Sequence, residues 1–170
     1  MKRKESVSAK PICFEIRWKQ MLSAETHSIS HSFLAHTLHM NAPDFFPKEI
    51  HWRRFKEGLK EIAQEHKPGI ILIEQSWCSS CKTVGARFCE DKELIELSNQ
   101  FVMIACCNEE EPNFDEFRPD GIYYPRFFFI DKDGNIDYSI TGGKEGSVYR
   151  YFYGSTAKFK ENMRLLLDKQ

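Results

Sequence analysis

The stretch Gly69-Ile70-Ile71-Leu72-Ile73-Glu74-Gln75-Ser76-Trp77-Cys78-Ser79-Ser80-Cys81-Lys82 decides the fold. Its first part is a continuous apolar run, the pattern of a strand buried on both faces. Its second part sets two thiols two residues apart, immediately before a segment with helical periodicity. A Cys-x-x-Cys pair at a strand-to-helix junction suits redox chemistry. The strand brings the first thiol to a surface, and the helix N-terminus stabilises its anion. Zinc ligation and two unrelated buried thiols are the competing readings of this spacing. Trp77, Lys82 and the junction itself favour the redox reading.

On the N-terminal side, His51 to Ala63 places Trp52, Phe55, Leu59, Ile62 and Ala63 on one helical stripe with charges opposite. Lys67-Pro68-Gly69 is expected to end that helix. On the C-terminal side, helical periodicity runs from Ser79 to Ser98 and breaks near Glu90-Asp91. Phe101-Val102-Met103-Ile104-Ala105 reads as a second strand, making 70–105 a βαβ unit with a right-handed crossover. An acidic loop, Asn108-Glu109-Glu110-Glu111-Pro112, and a polar connector to Asp120-Gly121 lead to a third strand from Tyr124 to Ile130. Asp131-Lys132-Asp133-Gly134 is a hairpin turn, so 135–140 is expected to return antiparallel as the sheet edge. Ser155 is expected to cap a last helix through Asp168, with Phe159, Met163, Leu166 and Leu167 on its apolar face. The sum is an α/β domain over 49–170, a four-stranded mixed sheet with helices on both faces.

Residues 1–48 read as a poorly ordered N-terminal extension, because Ser, His and Lys dilute its apolar residues. Its histidines His27, His31, His36 and His39 lack the intervening carboxylate of a metalloprotease helix, so no metal is expected there. The chain carries 24 basic and 25 acidic residues, a net charge of -1, which leaves no basic field for nucleic acid or anionic lipid. The apolar runs 69–73 and 127–130 are too short to cross a bilayer. The expected partners are therefore protein thiols or disulfides and small thiols, with no nucleic acid and no membrane.

Six cysteines are present. Cys89 lies about two helical turns after Cys81 and is expected to pack as a small apolar side chain. Cys106 and Cys107 are adjacent on a strand and should point to opposite faces, which makes them poor joint zinc ligands with Cys78 and Cys81. Cys13 lies in the polar extension.

The element order, with Trp77-Cys78-x-x-Cys81-Lys82 after the first strand and Tyr124-Pro125 before the third, resembles the thioredoxin fold. That resemblance implies a cis-proline at Pro125 facing the dithiol. A closer likeness covers about 50–168. It runs through Ile50-His51-Trp52-Arg53, Ser76 to Lys82, Leu94 to Ser98, Phe101-Val102-Met103, Glu109 to Pro112, Pro119-Asp120-Gly121, Tyr124-Pro125-Arg126 and Tyr151-Phe152-Tyr153. These segments are similar to the small thioredoxin-like proteins of the endoplasmic reticulum, the family of thioredoxin domain-containing protein twelve and the anterior gradient proteins. The resemblance implies a lumenal protein thiol–disulfide oxidoreductase that exchanges electrons with glutathione or partner oxidoreductases and carries no bound cofactor. The termini by themselves, with no apolar stretch after Met1-Lys2-Arg3-Lys4 and no retention tetrapeptide at Leu167-Asp168-Lys169-Gln170, read as cytoplasmic.

Cys78 is the expected nucleophile and Cys81, one turn into the helix, the shielded resolving thiol. Ser79 and Ser80 are expected to donate hydroxyl hydrogen bonds to the Cys78 anion, giving a redox poise between strong reductant and strong oxidant. Trp77 reads as a substrate platform or a core aromatic, and Lys82 as a tuner of Cys78 or a solvated helix lysine. Tyr124 and Pro125 are expected to offer backbone groups to an extended substrate. Thioredoxin-like proteins often bury a carboxylate six residues before the first cysteine, a position held here by Leu72. Glu74 shares the strand face of Leu72 and is the candidate proton relay for Cys81, against the alternative of a carboxylate reaching solvent. The functional alternative is a client-binding protein that forms mixed disulfides without turnover, a reading that the intact Cys81 opposes.

Overall fold

The computed structural model describes residues 42–143 and 146–170; the four histidines, Cys13 and the rest of the extension through residue 41 lie outside the described residues. Four strands form the sheet: β1 (Trp52–Arg53), β2 (Gly69–Glu74), β3 (Val102–Cys107) and β4 (Arg126–Ile130). Their spatial order is β1-β3-β2-β4, parallel except for the antiparallel pair of β2 and β4. Among the described residues four α-helices pack with the sheet: α1 (Phe55–Glu65), α2 (Ser79–Glu90), α3 (Lys92–Leu97) and α4 (Thr156–Asp168).

Side-chain alternation divides the core into two layers. On one face Ile70, Leu72, Met103, Phe127 and Phe129 pack with Val84 and Phe88 of α2, Leu94 of α3 and Phe159, Met163 and Leu166 of α4. On the other face Ile71, Ile73, Val102, Ile104, Cys106, Phe128 and Ile130 pack with Leu59 and Ile62 of α1. The expected mixed sheet with helices on both faces is therefore present.

Its fourth strand comes from a different place. Trp52 does not join the helical stripe. It lies in β1, paired parallel with Met103, and its indole N–H donates to Pro47 O at 2.9 Å. Ile50 and Trp52, two residues apart, both turn toward the α2 face, so period-2 and period-3.6 patterns share the same apolar residues here. The hairpin turn forms as read, with Gly134 at φ 88 and its N–H on Asp131 O at 3.0 Å. The return strand does not propagate beyond the single bridge Ile130–Ile136. Asp137 diverts it, because its carboxylate accepts hydrogen bonds from both the amide and the hydroxyl of Ser139. Phe127 N–H instead donates to Tyr151 O at 2.9 Å, so a later segment fills that edge of β4.

Packing starts ahead of the boundary read at residue 49. Phe46 is buried in the α2-side core, edge-on to Phe88 and Phe127. The helical break near residue 91 is a cap: Asp91 Oδ1 accepts the Leu94 amide at 3.0 Å and starts α3. Ser155 occupies the N-cap position of α4 without a capping bond from its side chain. Cys89 is exposed rather than packed. Eight residues on a helix are about 80° past two full turns, which rotates it off the buried stripe of Cys81, Val84, Gly85 and Phe88.

Gly85 lets the 42–50 segment lie directly on α2, since a Cβ there would collide with the Phe45 carbonyl. Alanine should gain about 1 kcal/mol of helix propensity, yet the clash is with backbone, which cannot rotate away. Gly85→Ala is expected to lower the thermal midpoint; a raised midpoint would show that the segment can move off the helix at little cost.

Candidate active site

The central strand β2 ends at Glu74, and the chain turns through Gln75-Ser76-Trp77 to begin α2. Cys78 is the N-cap of α2, with φ -80 and ψ 110. Its Sγ accepts the Cys81 amide at 3.0 Å, the geometry by which a side chain satisfies an orphan N–H of the first helical turn. Cys78 and Cys81 are joined as a disulfide, with Cα atoms 5.2 Å apart. Cys78 keeps 6% of its surface exposed and Cys81 none. The order of accessibility is as expected, but the outer sulfur is recessed rather than facing solvent freely. Its hydrogen-bond donor is the Cys81 amide, while Ser79 and Ser80 are exposed.

Trp77 is 74% exposed, so it is no core aromatic. Its ring meets Tyr124 edge-on with centroids 5.6 Å apart. Tyr124 precedes Pro125 through a cis peptide bond, and Pro125 is buried at the head of β4. The structure therefore brings Trp77 and Tyr124 together beside the dithiol turn. Lys82 is exposed on α2, and its amide donates to Cys78 O at 3.2 Å.

Glu74 does not reach solvent. It is 1% exposed. Its Oε1 accepts the Asp44 amide at 3.0 Å and the Cys107 thiol at 3.5 Å, while Oε2 has no partner among the described residues. Burial pushes its carboxyl up to about 7, against the opposing pull of those two hydrogen bonds. Burial, with the charge of Glu74 next, also raises the Cys107 thiol, so Cys107 is held as a protonated donor. Cys106 lies in the opposite core layer, as adjacent strand residues should. Among the described residues no three His, Cys, Asp or Glu side chains gather as a metal site.

Sequence reasoning missed the polar network behind Tyr124. Arg126, fully buried, donates from Nη2 to Glu111 Oε1 at 2.5 Å and from Nη1 to Gly121 O at 3.1 Å. Tyr124 O–H donates to Glu111 Oε2 at 2.5 Å, and the Arg126 guanidinium lies 5.2 Å from the Tyr124 ring centroid. Burial raises the Glu111 carboxyl, but hydrogen bonds from Tyr124 and Arg126 and the charges of Arg126 and Arg118 outweigh it and hold it below its ordinary value. The available signal was Arg126 itself, a lone charge heading the apolar run Phe127-Phe128-Phe129-Ile130. A buried guanidinium requires a carboxylate, and the acidic loop was the place to seek one.

The fold and this site define a class: a thioredoxin-like fold with its cysteine pair at the helix tip after the central strand. The family model described as Thioredoxin-like matches residues 51–132. Among curated relatives, the chain is similar to anterior gradient protein 2 homolog of Homo sapiens, 29% identical over 113 residues, covering 66% of this chain and 63% of the relative. Anterior gradient protein 3 of Mus musculus is 26% identical over 121 residues, covering 70% and 72%. The chain thus spans about 63% of the length of the first of these relatives. A solved structure titled DsbH Oxidoreductase covers 85% of this chain and 99% of its own at 16% identity and a TM-score of 0.46.

Glu74 gives a signed pH dependence. Its carboxyl is raised on folding, so its contribution to stability is complete below about pH 4.5 and is lost as pH rises through about 7. Glu74→Gln cannot titrate. Across that window the unfolding free energy of the variant, minus that of the native protein, should rise with pH in urea melts; a flat difference would refute the shift.

Proposed function

We propose that this protein is a thiol–disulfide oxidoreductase acting on protein substrates through Cys78 and Cys81. The observation that carries the reading is Cys78 at the helix N-cap, bonded to Cys81 and receiving its amide N–H. That amide and the helix dipole favour a thiolate at Cys78 once the disulfide opens, by about 0.3–1 kcal/mol for an exposed end and more when partly buried.

In the oxidised state a substrate thiolate attacks Cys78 Sγ, and Cys81 leaves as a thiolate. A second substrate thiolate then attacks its own half of the mixed disulfide and releases Cys78. Two electrons pass to the protein and a substrate disulfide forms; the reverse sequence reduces one. The shielding of Cys81 suits a leaving and resolving group. Trp77, Tyr124 and Pro125 offer an aromatic and backbone ledge for an extended chain beside Cys78. Lys82 lies close enough in sequence to favour the anion through its charge.

Glu74 is the proton relay in this reading. It lies on the same strand face as Leu72, which packs with Val84 of α2. Because α2 runs back along β2, two residues further along the strand correspond to one turn nearer the helix start, where Cys81 stands. A carboxyl titrating near neutrality suits proton transfer to a buried sulfur. Glutathione or a partner oxidoreductase would supply or drain the electrons, and the endoplasmic reticulum lumen is the compartment that the anterior gradient likeness suggests.

Turnover of a peptide disulfide, with equilibration of the Cys78–Cys81 pair against glutathione, tests this. A potential of roughly -180 to -230 mV is expected, between strong oxidant and strong reductant. Cys78→Ser should abolish turnover. Mixed disulfides that trap at Cys78 in the intact protein and never resolve would mark the client-binding alternative. Separately, Glu74→Gln should remove an ionisation near pH 7 from the pH–rate profile; an unchanged profile would end the relay role.

A further inference from the structure

The acidic loop after β3 plays no part in the chemistry above, yet it touches both halves of the site. Asn108 stands at φ 53, in the left-handed region that asparagine tolerates, and its Oδ1 accepts the Ser76 amide at 2.9 Å. Three residues on, Glu111 Oε2 accepts Gln75 Nε2 at 3.2 Å. Gln75 and Ser76 are the turn that delivers Trp77 and Cys78. From the other side, Glu111 accepts the Tyr124 hydroxyl and Arg126 Nη2, each at 2.5 Å, and Arg118 Nη2 at 3.5 Å. Tyr124 and Arg126 flank Pro125. One short loop therefore holds the cysteine turn with one set of bonds and the Tyr124-Pro125 ledge with another.

The holding is stiff for a physical reason. Arg126 has no exposed surface, so swinging its guanidinium away from Glu111 would leave a buried charge without its counter-ion. Charge-assisted hydrogen bonds at such distances are the strong and directional kind. Trp77, leaning edge-on against Tyr124, closes the circuit across the mouth of the site.

We propose that Asn108 and Glu111 are positioning residues for thiol–disulfide exchange, the loop setting the distance between the Cys78–Cys81 pair and the ledge that aligns an extended polypeptide. This rests on the oxidoreductase reading and deepens it. A small thiol reagent meets only the sulfur, whereas a peptide must engage sulfur and ledge together, so slackening the loop penalises the peptide alone.

The test uses the full chain carrying Glu111→Gln, which keeps the side-chain size; Tyr124→Phe, which removes one hydroxyl; and Asn108→Gly, which keeps the backbone conformation. Three quantities are measured: KM and kcat for a peptide disulfide, the rate of iodoacetamide alkylation at Cys78 in the reduced protein, and the Trp77 indole N–H resonance in 15N-tryptophan-labelled protein. For Glu111→Gln and Tyr124→Phe, kcat/KM should fall about tenfold to a hundredfold, mostly through KM. Alkylation should be unchanged and the Trp77 resonance should move. Asn108→Gly should also raise KM. Unchanged KM with an unmoved resonance overturns the proposal. Equal losses toward peptide and iodoacetamide also overturn it, because they mark general damage to the fold. If the native protein turns over no peptide disulfide, the oxidoreductase reading fails by itself. The resonance then decides the loop's role: movement in Glu111→Gln upholds the bracing, and no movement refutes it.

Discussion

The central strand β2 is bonded along both edges and covered on both faces. Six of its residues pair with β3 and five with β4, and all six residues are buried. A strand held in this way cannot slip by one residue without driving an entire apolar face into the wrong layer. Its C-terminal end is consequently a fixed point from which the chain must turn, and the turn places Cys78 at the tip of α2. The position of the sulfurs follows from backbone pairing some residues away.

That strand and its helix were also the most legible part of the sequence. Ile70-Ile71-Leu72-Ile73 with Cys-x-x-Cys at its end favours a buried strand running into a redox turn over zinc ligation or unrelated thiols, and the order of accessibility of the two sulfurs follows from helix geometry. Trp52 was harder, because Ile50, Trp52, Phe55 and Leu59 satisfy strand and helix periods in succession; only the partner strand β3 decides where one hands over to the other. The segment 135–140 carried a correct turn and a misleading continuation, since the Asp137–Ser139 bonds are local polar chemistry that an alternation pattern does not register. Glu111 was invisible as a site residue because three consecutive glutamates look alike on paper. Their difference lies in which one faces Arg126.

The site handles buried charge in two ways. Glu111 is surrounded by donors and stays ionised, an anion whose desolvation is offset by Arg126, Tyr124 and Gln75. Glu74 has a backbone amide and a weakly donating thiol for company, and an oxygen with no partner among the described residues, so it drifts toward the protonated form. Glu74 ends β2 and Glu111 lies in the loop after the neighbouring β3, and their environments set them apart. One serves as a fixed electrostatic anchor, and the other is able to gain and lose a proton near neutrality.

The margins of the sheet carry a separate consequence. One border is β1, only two residues long. The other, β4, has its outward amide at Phe127 taken by Tyr151 O and its carbonyl at Phe129 taken by the Asp137 amide, from two different stretches of chain. Neither border presents a long unsatisfied ladder on which a foreign strand could nucleate. The sheet is thereby guarded against being extended by a foreign strand through its own backbone.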